Sequence, residues 1–184
     1  MFDLEILVYT IIGIIVFFAL GTMAFAGYRG APWVPTKKKD LDRLINLAEI
    51  KDGESVYELG SGDGRILFEI AKRFKVSAIG VEISFLPYVY SKIKSQVMNT
   101  KIVHKMKGRV LIKYRNLFQQ SLNSADLVIC FLMPKSITEL EAKFSSELKK
   151  GAKVISYVFP LKSYVPIAVS KPEKSSIAIY LYQF

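Results

Sequence analysis

The chain has 184 residues with a formal charge of +10, one histidine and one cysteine. That length holds one apolar segment and one domain of about 150 residues. The lone Cys130 excludes an internal disulfide and suits a reducing compartment, and with no Cys/His cluster no metal site is expected.

Residues 6–27 carry no charge, and only Tyr9, Thr10 and Thr22 interrupt their apolar run. As a helix they span about 33 Å, enough to cross a hydrocarbon core of roughly 30 Å. Ala24-Phe25-Ala26 resembles a signal-peptidase site, but Asp3 and Glu5 make the flank before the run acidic and the run is long for a signal peptide. The basic residues Arg29, Lys37, Lys38 and Lys39 follow it. Basic flanks stay on the cytoplasmic side. The expectation is an uncleaved single-pass anchor over 1–28, N-terminus outside, with the body in the cytoplasm. Without Asp3 and Glu5 the remainder, 28–184, carries +12. Nucleic acid is one explanation of such a charge, and the anionic leaflet beside a tethered domain is another. The tether favours the lipid bilayer, and no nucleic-acid partner is expected.

A connector over 29–39 holds Pro32 and Pro35, which disfavour a continuing helix. The domain, 40–184, opens with a helix over 40–50 whose Leu41, Leu44, Ile45, Leu47 and Ala48 share a face, with Lys and Asp opposite. A strand over 55–59 follows, and it leads into the most informative stretch: Glu58-Leu59-Gly60-Ser61-Gly62-Asp63-Gly64-Arg65. Glycines at alternate positions let a ligand lie against bare backbone, because glycine has no Cβ and accepts positive φ. A dinucleotide fingerprint spaces its glycines G-x-G-x-x-G and seats a pyrophosphate. Here the pattern is E-x-G-x-G-x-G, and the carboxylates of Glu58 and Asp63 repel a pyrophosphate. They suit a cationic ligand, such as the sulfonium and α-amino group of S-adenosylmethionine.

A helix over 64–74 and a strand over 77–82 come next. Glu82 closes that strand 18 residues after Gly64, where an acid accepts hydrogen bonds from ribose hydroxyls in doubly wound folds. Ser84 is a candidate cap for the next helix, which ends between 99 and 107. Strands over 109–114 and 125–132, a helix from Pro134 to a stop at Gly151, and a strand over 152–159 complete the alternation. A β-pair over 165–170 and 175–182 ends the chain. His104, among Lys101, Lys105 and Lys107, reads as a surface residue, and Cys130 and Phe131 as core.

Alternation with two closing strands predicts an α/β, Rossmann-like, doubly wound and mostly parallel sheet with a terminal β-hairpin, the arrangement of class I methyltransferases. The chain resembles a narrower family, the membrane-anchored protein-lysine methyltransferases whose mitochondrial members modify the ATP synthase c-subunit and the adenine nucleotide translocator. The resemblance rests on the anchor, on Ala31-Pro32-Trp33-Val34-Pro35-Thr36, on Glu58 to Ile66, on Gly80-Val81-Glu82, on Phe131-Leu132-Met133-Pro134, and on Phe159-Pro160-Leu161. It implies S-adenosylmethionine as methyl donor and S-adenosylhomocysteine as product. It implies donor binding by Glu58, Gly60, Ser61, Gly62, Asp63, Gly64, Arg65, Glu82, Asn116 and Leu117. Family members commonly have Asp at the position of Glu58 and often Asp at that of Asn116. Leu132, Met133 and Pro134 are expected to face the methyl donor. Pro35 and Thr36 are expected near the mouth of the site, and Trp33 either there or at the membrane interface.

The implied reaction methylates a lysine of a membrane protein near the cytoplasmic leaflet. A methyltransferase of a lipid, quinone or other small hydrophobic molecule, and a non-catalytic scaffold that binds S-adenosylmethionine, are the alternatives.

Overall fold

A computed structural model describes residues 2–29, 34–100 and 106–184. Trp33, His104 and the lysines at 101 and 105 lie outside the described residues. The helices are α1 (Phe2–Arg29), α2 (Lys38–Ala48), α3 (Arg65–Arg73), α4 (Phe85–Met98) and α5 (Pro134–Glu147). The strands are β1 (Ser55–Leu59), β2 (Ser77–Glu82), β3 (Arg109–Tyr114), β4 (Leu127–Cys130), β5 (Lys153–Tyr157), β6 (Ala168–Ser170) and β7 (Ile179–Gln183).

The sheet runs β3-β2-β1-β4-β5-β7-β6. Strands β1 to β5 pair in parallel, and β7 lies antiparallel between β5 and β6. This is the mixed sheet of a class I methyltransferase. Strand β1 has β2 on one side and β4 on the other. Strand order reverses there, and the helices that follow β1 and β4 leave a crevice at their carboxyl ends. The glycine loop starts in that crevice.

Alternate residues of the strands feed two apolar layers. Val56, Ile129 and Ile155 join Leu44, Leu67 and Ile70 on one face. Tyr57, Leu59, Val128 and Val154 join Leu140, Phe144 and Tyr182 on the other. Period-two alternation requires this, and burial on both faces explains why β4 is apolar throughout. Cys130 packs in the second layer, and burial pushes its thiol up to about 12.

Several elements differ from expectation. Helix α2 begins at Lys38 and ends at Ala48. Its Asp40 is buried rather than solvated, accepting from the Tyr157 hydroxyl at 2.7 Å and from Arg43 at 2.7 Å. Arg43 also donates to the carbonyls of Ser170 and Ile177, tying α2 to the end of β6 and to the segment that leads into β7. Helix α5 ends at Glu147, and Gly151 occupies a later turn at φ +86°. Strand β4 keeps only four residues of the eight expected. In the closing pair, β6 and β7 are shorter than expected, and β7 is the strand that pairs with β5. Ser84 precedes α4 without a side-chain capping bond. The Glu82 carboxylate accepts the Ser84 amide instead.

Candidate active site

The loop after β1 turns through Gly60, Gly62 and Gly64 at φ +77°, +53° and +72°. A side chain would be strained at each, and at Gly60 an added Cβ would also stand 3.1 Å from Leu132 Cδ2. The loop is tied to β2 at both levels. The amides of Gly60 and Ser61 donate to the Val81 carbonyl, and the Gly62 amide donates to the Glu82 carboxylate at 2.7 Å. The other Glu82 oxygen accepts from the amides of Ile83 and Ser84 at 2.9 and 2.7 Å. A carboxylate has about four acceptor sites. Glu82 therefore supports the loop and keeps one site for a ligand.

Glu58 lies beneath the loop, 6 % exposed, and its Oε2 finds no hydrogen-bond partner among the described residues. Burial, followed by the charges of Asp63 and Glu82, pushes its carboxyl well above the usual range. The Ser61 hydroxyl is likewise buried without a partner among them. Buried polar atoms are normally satisfied, and orphans mark the place of a polar ligand. A free acceptor oxygen on a buried acid beside a donor-capable hydroxyl fits the cationic amino-acid end of S-adenosylmethionine.

Asp63 is differently engaged. Arg65 grips it with Nε and Nη2 at 2.7–3.1 Å, and Arg65 Nη1 reaches the Thr36 carbonyl at 3.2 Å. Burial would raise the Asp63 carboxyl, but the Arg65 hydrogen bonds outweigh it and hold the group below its usual range. Asp63 and Arg65 thus join the loop to the connector.

A cleft of about 810 Å³, counted to its open mouth, gathers these parts. Glu58, Gly60, Ser61, Gly62, Asp63, Arg65 and Glu82 line one wall, and Arg115, Asn116, Leu117 and Phe118 another. Pro35, Thr36 and Leu132 also line it, with Val34 and Phe131. Of the expected site residues, Gly64 is set back as the N-cap of α3, packed toward Phe68 and Ser91.

Met133 and Pro134 do not line the cleft. Pro134 is the first residue of α5, and the chain turns outward there, leaving both side chains exposed. Phe131, expected in the core, packs against it half-buried and also lines the cleft, its ring 4.7 Å from that of Tyr157 at 80°. Asn116 lines the cleft, but its Oδ1 already accepts from the Phe118 amide at 3.1 Å, capping a single 3-10 turn. Only one lone pair of that oxygen remains for a ligand.

Val34, Ile83, Ser84, Arg115, Phe118 and Phe131 line the cleft in addition to the expected residues. All six adjoin or belong to motif residues: Ile83 and Ser84 follow Glu82, Arg115 precedes Asn116, Phe118 follows Leu117, Val34 precedes Pro35, and Phe131 opens the stretch to Pro134.

Comparison with known proteins agrees with this geometry. The model of the ANTKMT methyltransferase domain matches residues 58–168, from the first acid to the start of β6. A protein-lysine N-methyltransferase of Saccharolobus islandicus (strain REY15A) is 34% identical over 154 residues, covering 82% of this chain and 92% of that protein. The lysine N-methyltransferase of the ATP synthase c-subunit from Homo sapiens is 28% identical over 135 residues, 73% of this chain. The adenine nucleotide translocase lysine N-methyltransferase of Mus musculus is 29% identical over 138 residues, 75% of this chain. These matches span 54% and 57% of the two mammalian proteins. Among solved structures, an RNA methyltransferase from Salinibacter ruber in complex with S-adenosylhomocysteine superimposes with a TM-score of 0.72 at 25% identity, over 82% of this chain and 93% of that one. With the sheet order, the cleft and the acid–glycine loop in agreement, the chain belongs to the S-adenosylmethionine-dependent protein-lysine N-methyltransferase family that carries the ANTKMT methyltransferase domain.

Proposed function

We propose that this chain methylates the ε-amine of a lysine on a membrane protein, next to the cytoplasmic face of a bilayer in which α1 anchors it. The observation that carries the reading is how directly α1 feeds the cleft. Helix α1 ends at Arg29, and Val34, Pro35 and Thr36 are already cleft wall. Five residue steps from Arg29 to Val34 reach at most about 18 Å. The span Asp3–Thr22 has a mean hydropathy of 2.4 and is not buried against the domain. A helix apolar on every side suits a bilayer rather than a water-facing surface. Two relatives are named for lysine methylation of the ATP synthase c-subunit and of adenine nucleotide translocase, and the same class of target is assigned here.

Bound S-adenosylmethionine supplies an electrophilic methyl group. Within the cleft, the unpartnered Oε2 of Glu58 accepts from the α-amino group, and the free acceptor site of Glu82 takes a ribose hydroxyl. Asn116 and Leu117 bracket the base, Leu117 through apolar contact. The acceptor lysine must arrive uncharged. Bringing an ordinary lysine from a pKa of about 10.4 to neutrality at pH 7 costs about 4.6 kcal/mol. Val34, Pro35, Phe131 and Leu132 offer an apolar wall that disfavours the ammonium form by desolvation. The proton then leaves to water at the open mouth, and no general base is required. The remaining work is alignment of the amine, which confinement supplies.

A flexible Gly/Ser insertion of about 20 residues after Tyr28 lengthens the tether's mean reach by roughly 25 Å. Modification of the membrane target should fall while S-adenosylmethionine binding persists. Unchanged modification would contradict a site held close to the bilayer.

A further inference from the structure

Helix α4 is built inside out for a water-facing element. Its buried positions are Pro87, Ser91 and Ser95. Its outward positions Leu86, Tyr90, Ile93 and Val97 are 47 %, 57 %, 56 % and 54 % exposed. Spacings of four, three and four place these side chains in a single stripe. The small inner residues let α4 sit close to the glycine loop, where a Cβ added at Gly64 would stand 3.6 Å from that of Ser91. They do not explain the large apolar residues outside. A contiguous exposed apolar stripe of this kind marks an interaction surface.

Three observations identify what covers it. The stripe is continuous with α1: the Phe18 and Phe85 rings meet edge to face at 5.8 Å, and the Phe85 amide donates to Thr22 Oγ1 at 3.3 Å. Thr22 lies in the C-terminal part of the apolar run of α1, which continues to Gly27, so α4 begins beside that part of the run. Tyr114 and Tyr88 extend the aromatic cluster from Phe85 at this junction. Tyrosine favours the membrane–water boundary. Finally, α4 contains no acidic residue and carries Lys92 and Lys94, the Lys94 ammonium resting over the Phe68 ring at 4.4 Å and 5.8 Å from the ring of Tyr90 in the stripe. Apolar side chains on a basic helix complement an anionic leaflet.

We propose that α4 lies on the cytoplasmic leaflet with Leu86, Tyr90, Ile93 and Val97 among the headgroups, as a second membrane contact besides α1. The proposal rests on the reading of α1 as an anchor. A single anchor leaves the domain free to rotate about it. Two contacts fix that rotation, and because Ile83 and Ser84 are both cleft wall and the entry to α4, they fix the cleft at one height above the bilayer. The acceptor is thereby restricted to lysines at that height.

The test uses the full chain in vesicles of phosphatidylcholine and phosphatidylserine, with single cysteines carrying an environment-sensitive fluorophore at Ile93→Cys or Val97→Cys. Phe17→Cys reports on α1, and Glu139→Cys, exposed on α5, is the aqueous control. The buried Cys130 does not label. Nitroxide lipids should remove roughly half or more of the emission at Ile93→Cys, Val97→Cys and Phe17→Cys, and little at Glu139→Cys. Quenching at Phe17→Cys alone overturns the second contact and leaves the anchor standing. No quenching at any position overturns the anchor and the contact together. A blue shift at Ile93→Cys without lipid quenching assigns the stripe to a second copy of the chain and also overturns the proposal. As an independent readout, the double substitution Leu86→Glu, Ile93→Glu should lower methylation of the membrane target several-fold with S-adenosylmethionine binding unchanged. Equal methylation would overturn the proposal.

Discussion

Gly62 and Glu82, twenty residues apart, are joined by a 2.7 Å hydrogen bond from the glycine amide to the carboxylate. The acid that ends β2 thus shapes the loop that follows β1, in addition to facing the ligand. Its side chain satisfies three backbone amides in all, those of Gly62, Ile83 and Ser84.

Removing that carboxylate should therefore damage both loop and affinity. Glu82→Ala leaves buried amides unmatched and should cost about 2–3 kcal/mol of stability, read by thermal unfolding. S-adenosylmethionine affinity should fall by roughly tenfold or more in calorimetry. Glu82→Gln, which keeps an acceptor oxygen, should recover part of the stability.

Glu58 should trade stability against binding. Its carboxyl is raised, first by burial and then by the charges of Asp63 and Glu82. A raised carboxyl gives its full stability below the unfolded value of about 4.3, and that stability is lost as pH rises through the folded value. Glu58→Gln removes this loss. The ligand-free variant should be the more stable protein on the alkaline side, a gain of about 1 kcal/mol appearing as roughly 2–4 °C in Tm. Its S-adenosylmethionine affinity should be weaker. In the parent chain, affinity should drop as pH falls through the raised value, because a protonated Glu58 no longer attracts the ammonium. A flat affinity profile across that range would contradict the assignment.

Gly80 should not tolerate alanine. It pairs with Glu58 across β1 and β2, and an added Cβ would stand 2.7 Å from the Ser61 hydroxyl, 2.8 Å from Ile112 Cδ1 and 2.9 Å from Leu67 Cδ1. Overpacking of this kind costs about 1–3 kcal/mol. Because Ser61 belongs to the cleft, Gly80→Ala should weaken S-adenosylmethionine binding as well as lower Tm.

The Tyr157–Asp40 hydrogen bond should appear in acid unfolding. Burial would raise the Asp40 carboxyl, but the bonds from Tyr157 and Arg43 outweigh it and hold the group below its usual range. A lowered carboxyl stabilises the fold above the unfolded value of about 3.9, and that contribution disappears as pH falls through the folded value. Tyr157→Phe removes one of the two bonds, costing about 1.5–3 kcal/mol at neutral pH and moving the acid transition to higher pH. An unchanged acid midpoint would contradict this.

Local patterns made the architecture legible. The glycine loop, the strand alternation and Glu82 follow from backbone chemistry and period, so β1, α3 and β2 fall where the residues place them. What escaped depended on contacts between distant segments. Nothing around Asp40 announces a tyrosine 117 positions later, so a charged residue beside lysines reads as solvent-facing. Met133 and Pro134 shared a motif with Leu132, but the outward turn into α5 is set by how that helix docks on the sheet. The spacing of Leu86, Tyr90, Ile93 and Val97 on α4 is written in the sequence. Their exposure is not, because an apolar face at helical spacing ordinarily faces the core.

The most direct test is methyl transfer itself. The full chain would be incubated with membranes and methyl-labelled S-adenosylmethionine, and the label separated into protein, lipid and nucleic-acid fractions. Glu82→Ala combined with Gly62→Arg serves as the binding-deficient control. Label is expected in the protein fraction, recovered after hydrolysis as ε-N-methylated lysine from a membrane protein and absent with the control. Label in the lipid or nucleic-acid fraction, or methyllysine confined to soluble proteins, would contradict it.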